Sequence, residues 1–226
     1  MFVPHGMSLT QLEGSAYVRF SLLALSSIFF LVDPFAALPT FLAVTAGQTQ
    51  EKRFRTARKA SLTAWVCLSF FAIAGTYLFR LFGITLPAFE IAGGIILLLI
   101  GLDMLEAKRS PTQETKSEAQ AASEKDDAGI VPMGIPMLAG PGAITSVMVL
   151  VGQAQTHWQM VAIFVSIAIT AGICLLVLGS AARVAKALGE TGIRILVRVM
   201  GLLLVALAVQ YFVNGFQDLG VIARLS

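Results

Sequence analysis

The chain has 226 residues, 57% of them apolar and only 13% charged, against roughly 25% charged in an ordinary soluble domain. That composition excludes a water-soluble enzyme or binding module. The net charge of +3 comes from basic residues beside apolar runs, where they orient a chain in a lipid bilayer, and gives no reason to expect a nucleic-acid partner.

A membrane-crossing helix needs about 20 mostly apolar residues, and such runs fill almost the whole sequence. The N-terminal stretch MFVPHGMSLTQLEGSAYVRF carries Glu13 and lacks a basic leader, so it is not read as a signal peptide. Six spans follow: residues 17–46, 60–82, 87–103, 131–153, 157–180 and 192–216. The first is long for one crossing and is interrupted by Asp33, Pro34 and Pro39 in FFLVDPFAALPTF. The third starts at Pro87, a favoured first-turn residue. The fourth is interrupted by Pro136, Gly140, Pro141 and Gly142 in GIPMLAGPGAITS. Cys67 and Cys174 sit inside apolar runs and read as small membrane-buried residues rather than a disulfide or metal pair.

Every Lys and Arg except Arg19, Arg80 and Arg224 lies in the 1–2 connection, the 3–4 connection, or between the fifth span and the start of the sixth. The positive-inside rule puts those connections in the cytoplasm and both termini outside. The polar 3–4 segment, SPTQETKSEAQAASEKDDAG, reads as a flexible tether.

A shift of 107 residues lays TAWVCL on TAGICL, DPFA on GPGA, and GIILLL on GLLLVA. Pro34 then matches Pro141, Cys67 matches Cys174 and Gly94 matches Gly201. One offset relates the first span to the fourth, the second to the fifth and the third to the sixth. Three spans per repeat is an odd number, so the halves enter the membrane in opposite directions, a plan of secondary transporters. The expected architecture is an all-α membrane protein of six transmembrane helices in a 3+3 inverted repeat, with the first and fourth helices interrupted. It forms a single membrane domain over 1–226, with a first repeat at 17–103, a cytoplasmic loop at 104–130 and a second repeat at 131–216.

Unwound backbone in hydrocarbon is tolerated only where it is buried in protein or lines a wet cavity. Freed amides at a helix N-terminus attract a carboxylate, and freed carbonyls at a C-terminus attract a cation. Two broken helices in opposite orientations offer both to a small zwitterion. The candidate substrate-binding set is Asp33, Pro34, Pro39, Thr40, Gly140, Pro141, Gly142 and Thr145. Asp33 either binds an ammonium group, a sodium ion or a proton, or caps the half-helix that follows it. Thr45 and Ser146 are further hydroxyls near the breaks, and back-bonding to a helix carbonyl is the structural alternative for each such residue. Glu90 is expected to pair with Arg80. Gln210 and Asn214 are expected to bond between helices. His5 and His157 lie too far apart in sequence to suggest a metal site, and no nucleophile–base pair or phosphate loop is present, so neither an enzyme nor a bound cofactor is expected. Coupling to sodium or a proton is open, as is oligomeric state.

The motifs DPFAALPTFLAVT, IAGGIILLLIGLDML, GIPMLAGPGAITSVMVL and VRVMGLLLVALAVQ, in that order, resemble the MarC family of bacterial and archaeal inner-membrane proteins. The sequence keeps Asp33, Pro34 and Pro39 but has Ala36 and Ala37 where the family commonly has Gly and Asn. The second motif is intact from Pro136 through Ala143. The resemblance implies a multi-pass protein of the cytoplasmic membrane and a secondary transporter of small neutral amino acids such as glycine or alanine. The alternatives are an exporter or channel for another small metabolite, or a non-transporting membrane scaffold, which would need no matched pair of breaks.

Overall fold

The computed structural model describes residues 9–106, 129–131 and 133–222, with side chains from residue 17 onward. Most of the predicted tether, together with His5 and Arg224, lies outside the described residues. The described residues are all helical, with no strand among them. Helix α1 (Leu9–Val32) ends at the first break, and α2 (Leu38–Val44) resumes after it. Helices α3 (Gln50–Phe82) and α4 (Leu86–Leu105) follow. A distorted helical segment, Met133–Leu138, leads to α5 (Pro141–Gln153), α6 (His157–Gly179) and α7 (Ala181–Asp218). Among the described residues α3, α4, α6 and α7 are each long and apolar enough to cross a membrane, while Tyr17–Val32 and Pro141–Gln153 are shorter apolar helices. The two short ones are the predicted interrupted spans.

Local chemistry sets the helix ends. Thr49, Thr85 and Thr156 each accept a hydrogen bond from a first-turn amide of α3, α4 and α6. At Thr156 the bond is reciprocated by Gln159, a full capping box. Helix α3 stops at Gly83, whose left-handed backbone (φ 63°) lets Ile84 N–H reach back to Phe79 O at 2.9 Å. Two boundaries differ from expectation. Helix α3 begins ten residues before the predicted start of its apolar run, because its polar first turns continue the helix beyond the apolar stretch. The last helix begins at Ala181 rather than Gly192 and bends at Gly189 (φ 65°, ψ 174°), a conformation open to glycine. At the second edge of the tether, Gly129 packs on α3: a Cβ there would meet Lys59 Cβ at 2.6 Å and Thr56 O at 2.8 Å.

Helices α1 to α4 pack chiefly on elements of the 133–218 half rather than on one another. Helix α4 pairs most extensively with α7, α3 with α6 and α5, and α1 with α6 and α5. Lipid tails are as apolar as leucine, so this association relies on close backbone approach rather than on the hydrophobic effect. A Cβ on Gly101 would lie 2.9 Å from the Gly201 carbonyl oxygen, and one on Gly201 would lie 2.9 Å from that of Gly101. A second approach point joins Gly94 to Ala208 O at 3.1 Å. As α4 numbering rises along these points α7 numbering falls, so the two helices run antiparallel. Helices α4 and α5 are antiparallel too, since Gly142 meets Leu97, Gly93 meets Thr145 and Gly152 meets Leu86.

Candidate functional site: the junction of two helix breaks

The first break is built by Asp33. Its amide completes α1 by donating to Phe29 O at 3.0 Å, and its own backbone then turns left-handed (φ 40°). Asp and Asn tolerate that region better than most side chains. Pro34 cannot continue the helical ladder. The Asp33 carboxylate accepts the Ala36 amide through Oδ1 at 3.1 Å, and Ala37 N–H reaches Asp33 O at 3.4 Å. Asp33 therefore does cap the turn over residues 34–37. The cap uses one oxygen only: Asp33 is 5% exposed, and its Oδ2 has no hydrogen-bond partner among the described residues.

The second break is built by Pro136 and the Gly140-Pro141-Gly142 run. Ile135 is extended (φ −134°, ψ 127°) and joins Pro136 through a cis peptide bond. Gly140 is the N-cap of α5, and no side chain caps this end. The amides of Gly142 and Ala143 have no acceptor within the helix, and both residues are buried. A buried, uncapped helix N-terminus is an anion-binding arrangement.

The two breaks meet. Leu31, in the last turn of α1, places Cδ2 3.5 Å from where a Cβ on Gly142 would sit. The last turn of α1, which Asp33 follows, thus packs against the first turn of α5. Cys174 of α6 is within electrostatic reach of Asp33. One turn away, Thr170 is 1% exposed, and its Oγ1 has no partner among the described residues. Residues 170 and 174 were visible in the sequence as repeat partners of Thr63 and Cys67, but not as neighbours of Asp33. Thr63 packs on the second break, where a Cβ on Gly134 would meet its Cβ at 2.6 Å.

The other predicted residues divide. Pro34, Thr40, Gly140 and Gly142 are buried at the breaks, and Pro141 is half-buried at the first position of α5. Pro39 is exposed in the first turn of α2, so it shapes that helix without facing the junction. Thr145 is buried but donates to Pro141 O at 2.8 Å, and Thr45 donates to Phe41 O at 2.7 Å; both hydroxyls are committed to their own helices. Ser146 is 0% exposed.

Two expectations away from the breaks are corrected. Glu90 does not pair with Arg80; it is fully buried and accepts from Gln153 Nε2 at 2.9 Å. Arg80 is exposed in the last turn of α3. Gln210 and Asn214 bond to each other along α7 at 2.7 Å instead of between helices, because i and i+4 share one helix face. No cluster of three or more potential metal ligands occurs among the described residues. A basic cavity of about 470 Å³ is lined by Thr49 and the first turns of α3 and shares no residue with either break.

A model described as "MarC family integral membrane protein" matches residues 18–219. The chain is 41% identical over 200 residues to a UPF0056 membrane protein of Methanocaldococcus jannaschii, covering 88% of this chain and 97% of that one. It is 36% identical over 196 residues to a UPF0056 membrane protein of Aquifex aeolicus, covering 87% and 92% of the two chains. It is 33% identical over 192 residues to the UPF0056 membrane protein YhcE of Escherichia coli, covering 85% and 89%. No solved structure matches the chain.

Proposed function

The chain belongs to the MarC family of integral membrane proteins, and from that premise we propose that it is a secondary transporter of small neutral amino acids such as glycine or alanine. The observation that carries the proposal is the packing of the last turn of α1, next to the half-used Asp33 carboxylate, on the uncapped first turn of α5. A neutral amino acid is a fixed pair of opposite charges on one carbon. Its ammonium finds the free Asp33 oxygen and the last carbonyls of α1, and its carboxylate finds the amides of Gly142 and Ala143. Transport would use the same parts, since a site held between two inverted repeats is the setting of alternating access in secondary transporters.

The 3+3 inverted repeat is part of this reading. Exchanging the halves maps the contact of Gly94 with Ala208 onto that of Gly201 with Gly101. It also maps the packing of α3 on Met133–Leu138 onto that of α6 on α1. The proposed setting is the bacterial cytoplasmic membrane, with both termini outside. Tags at either terminus should react with impermeant reagents from outside that membrane, and a tag near Ser117 should not. A cytoplasmic N-terminus would overturn the orientation.

Proteoliposomes test the function. Labelled glycine should enter faster when the vesicles are preloaded with unlabelled glycine or alanine, and should respond to an imposed proton or sodium gradient. Equal entry into protein-free vesicles would contradict the reading.

A further inference from the structure

The Glu90–Gln153 hydrogen bond joins residues 63 apart in sequence. It ties α4 to the end of α5 opposite the break, about 17 Å along α5 from Gly142. The Glu90 side chain is 0% exposed, and while Oε1 is held by Gln153, Oε2 has no partner among the described residues. Ser146, on α5, is equally enclosed. Tyr211 of α7, 8% exposed, stands between them, beside Ser146 and within electrostatic reach of Glu90.

The titratable groups that face Glu90 are Tyr211 and Asp218, both on α7. Helix α5 faces it with Gln153 and Ser146, which do not titrate, and Arg80 of α3 is exposed. Among the described residues the enclosed carboxyl has no basic hydrogen-bond partner. A sodium ion needs several oxygen ligands, and here one carboxylate oxygen is open. A single open oxygen suits a proton. Asp218 is exposed at the end of α7, and Gln153 is exposed at the end of α5, so water reaches the edge of the cluster.

We propose that Glu90 is a proton-binding site, loaded at Oε2 from the face where α5 and α7 end, and that its occupancy sets the contact between α4 and α5. The proton comes from water at that face, adds to the carboxylate oxygen and returns to water on release; no other bond changes. The Gln153 amide accommodates both states, because it donates to Oε1 in either. Since α5 begins at the second break, the same helix carries the proton signal to the junction. Only that last step rests on the transport reading.

Infrared difference spectroscopy of the full chain in lipid nanodiscs, taken through a pH change without any amino acid present, tests the site. A protonated-carboxyl stretching band should disappear as pH rises. The band should be absent in Glu90→Gln and kept, shifted, in Glu90→Asp. It should also be kept in Asp33→Asn. Gln153→Leu should move the pH midpoint of its loss, which a purely packing role for Gln153 would leave in place. A band set unchanged in Glu90→Gln would overturn the proposal, and an unmoved midpoint in Gln153→Leu would overturn the link to α5. In proteoliposomes Glu90→Gln should abolish the response of glycine uptake to a proton gradient. A normal infrared titration without any uptake would refute the transport reading alone, while uptake with an unchanged proton response in Glu90→Gln would refute the coupling.

Discussion

Gly101→Ala is expected to lower the stability of the detergent-solubilised protein by about 1–3 kcal/mol, the usual scale of an overpacked contact, and Gly101→Val by more. The new Cβ would lie 2.9 Å from the Gly201 carbonyl oxygen and 3.0 Å from the Val205 amide nitrogen. Both are backbone atoms, so no rotamer change relieves the clash and α4 and α7 must separate. Gly201→Ala meets Gly101 O at 2.9 Å and Leu105 N at 3.1 Å, and should destabilise similarly. The pair shares one contact, so the double variant should be less damaging than the sum of the singles. Gly172→Ala in α6 is the control. Nothing lies within 4 Å of its added Cβ, and a mid-helix alanine is favoured by roughly 0.5–1 kcal/mol. Thermal unfolding and monodispersity on size exclusion read all five variants. An undisturbed Gly101→Val protein would show that α4 and α7 are held by something other than close approach.

Asp33→Asn is expected to leave the protein folded and to weaken apparent glycine affinity roughly ten- to hundredfold. The amide keeps the Ala36 cap and tolerates the left-handed backbone, but it replaces a charge-assisted hydrogen bond worth about 1.5–3 kcal/mol. The response to a proton gradient should survive, because Glu90 is a second buried carboxyl. Asp33→Ala should also lose the cap, at about 1 kcal/mol of stability. Pro141→Ala acts on the other end of the substrate. It restores an N–H at position 141 and frees residue 140 for helical geometry. Helix α5 can then extend backward and withdraw the Gly142 and Ala143 amides from the junction. Uptake should fall about tenfold or more while the protein stays inserted. Parent-like kinetics in both variants would leave Asp33 as a cap and the second break as a packing feature.

The breaks were legible because proline and aspartate act on backbone chemistry wherever they stand. Pro34 and Pro141 cannot continue a preceding helix in any environment, and the shared offset is what suggested that they correspond. The helix start marked by Pro87 was likewise local. What stayed hidden was azimuth. In a soluble helix the polar face shows which side is buried, but lipid and core are both apolar here, so nothing told which way Glu90 points. Its partner, Gln153, is 63 residues away, and the nearer Arg80 was the natural expectation. Proximity between Asp33 and Cys174 was hidden for the same reason. The bend at Gly189 went unread because an isolated glycine in a helical pattern signals a bend no more than it signals close packing. Thr145 shows the converse: its position next to the break was right, but its hydroxyl is taken by Pro141 O.

The claim that a small zwitterion sits where the two breaks meet is tested most directly at Ala36. This residue is half-buried, and its amide is bound to Asp33. Ala36→Cys, in a background with Cys67 and Cys174 changed to alanine, should react with a small water-soluble thiol reagent. Glycine or alanine should slow that reaction in a concentration-dependent way, and glutamate should not. A cysteine at Ile84, exposed between α3 and α4, should react at a rate no amino acid changes. Labelling at position 36 that proceeds at one rate with and without glycine would contradict a substrate site at this junction.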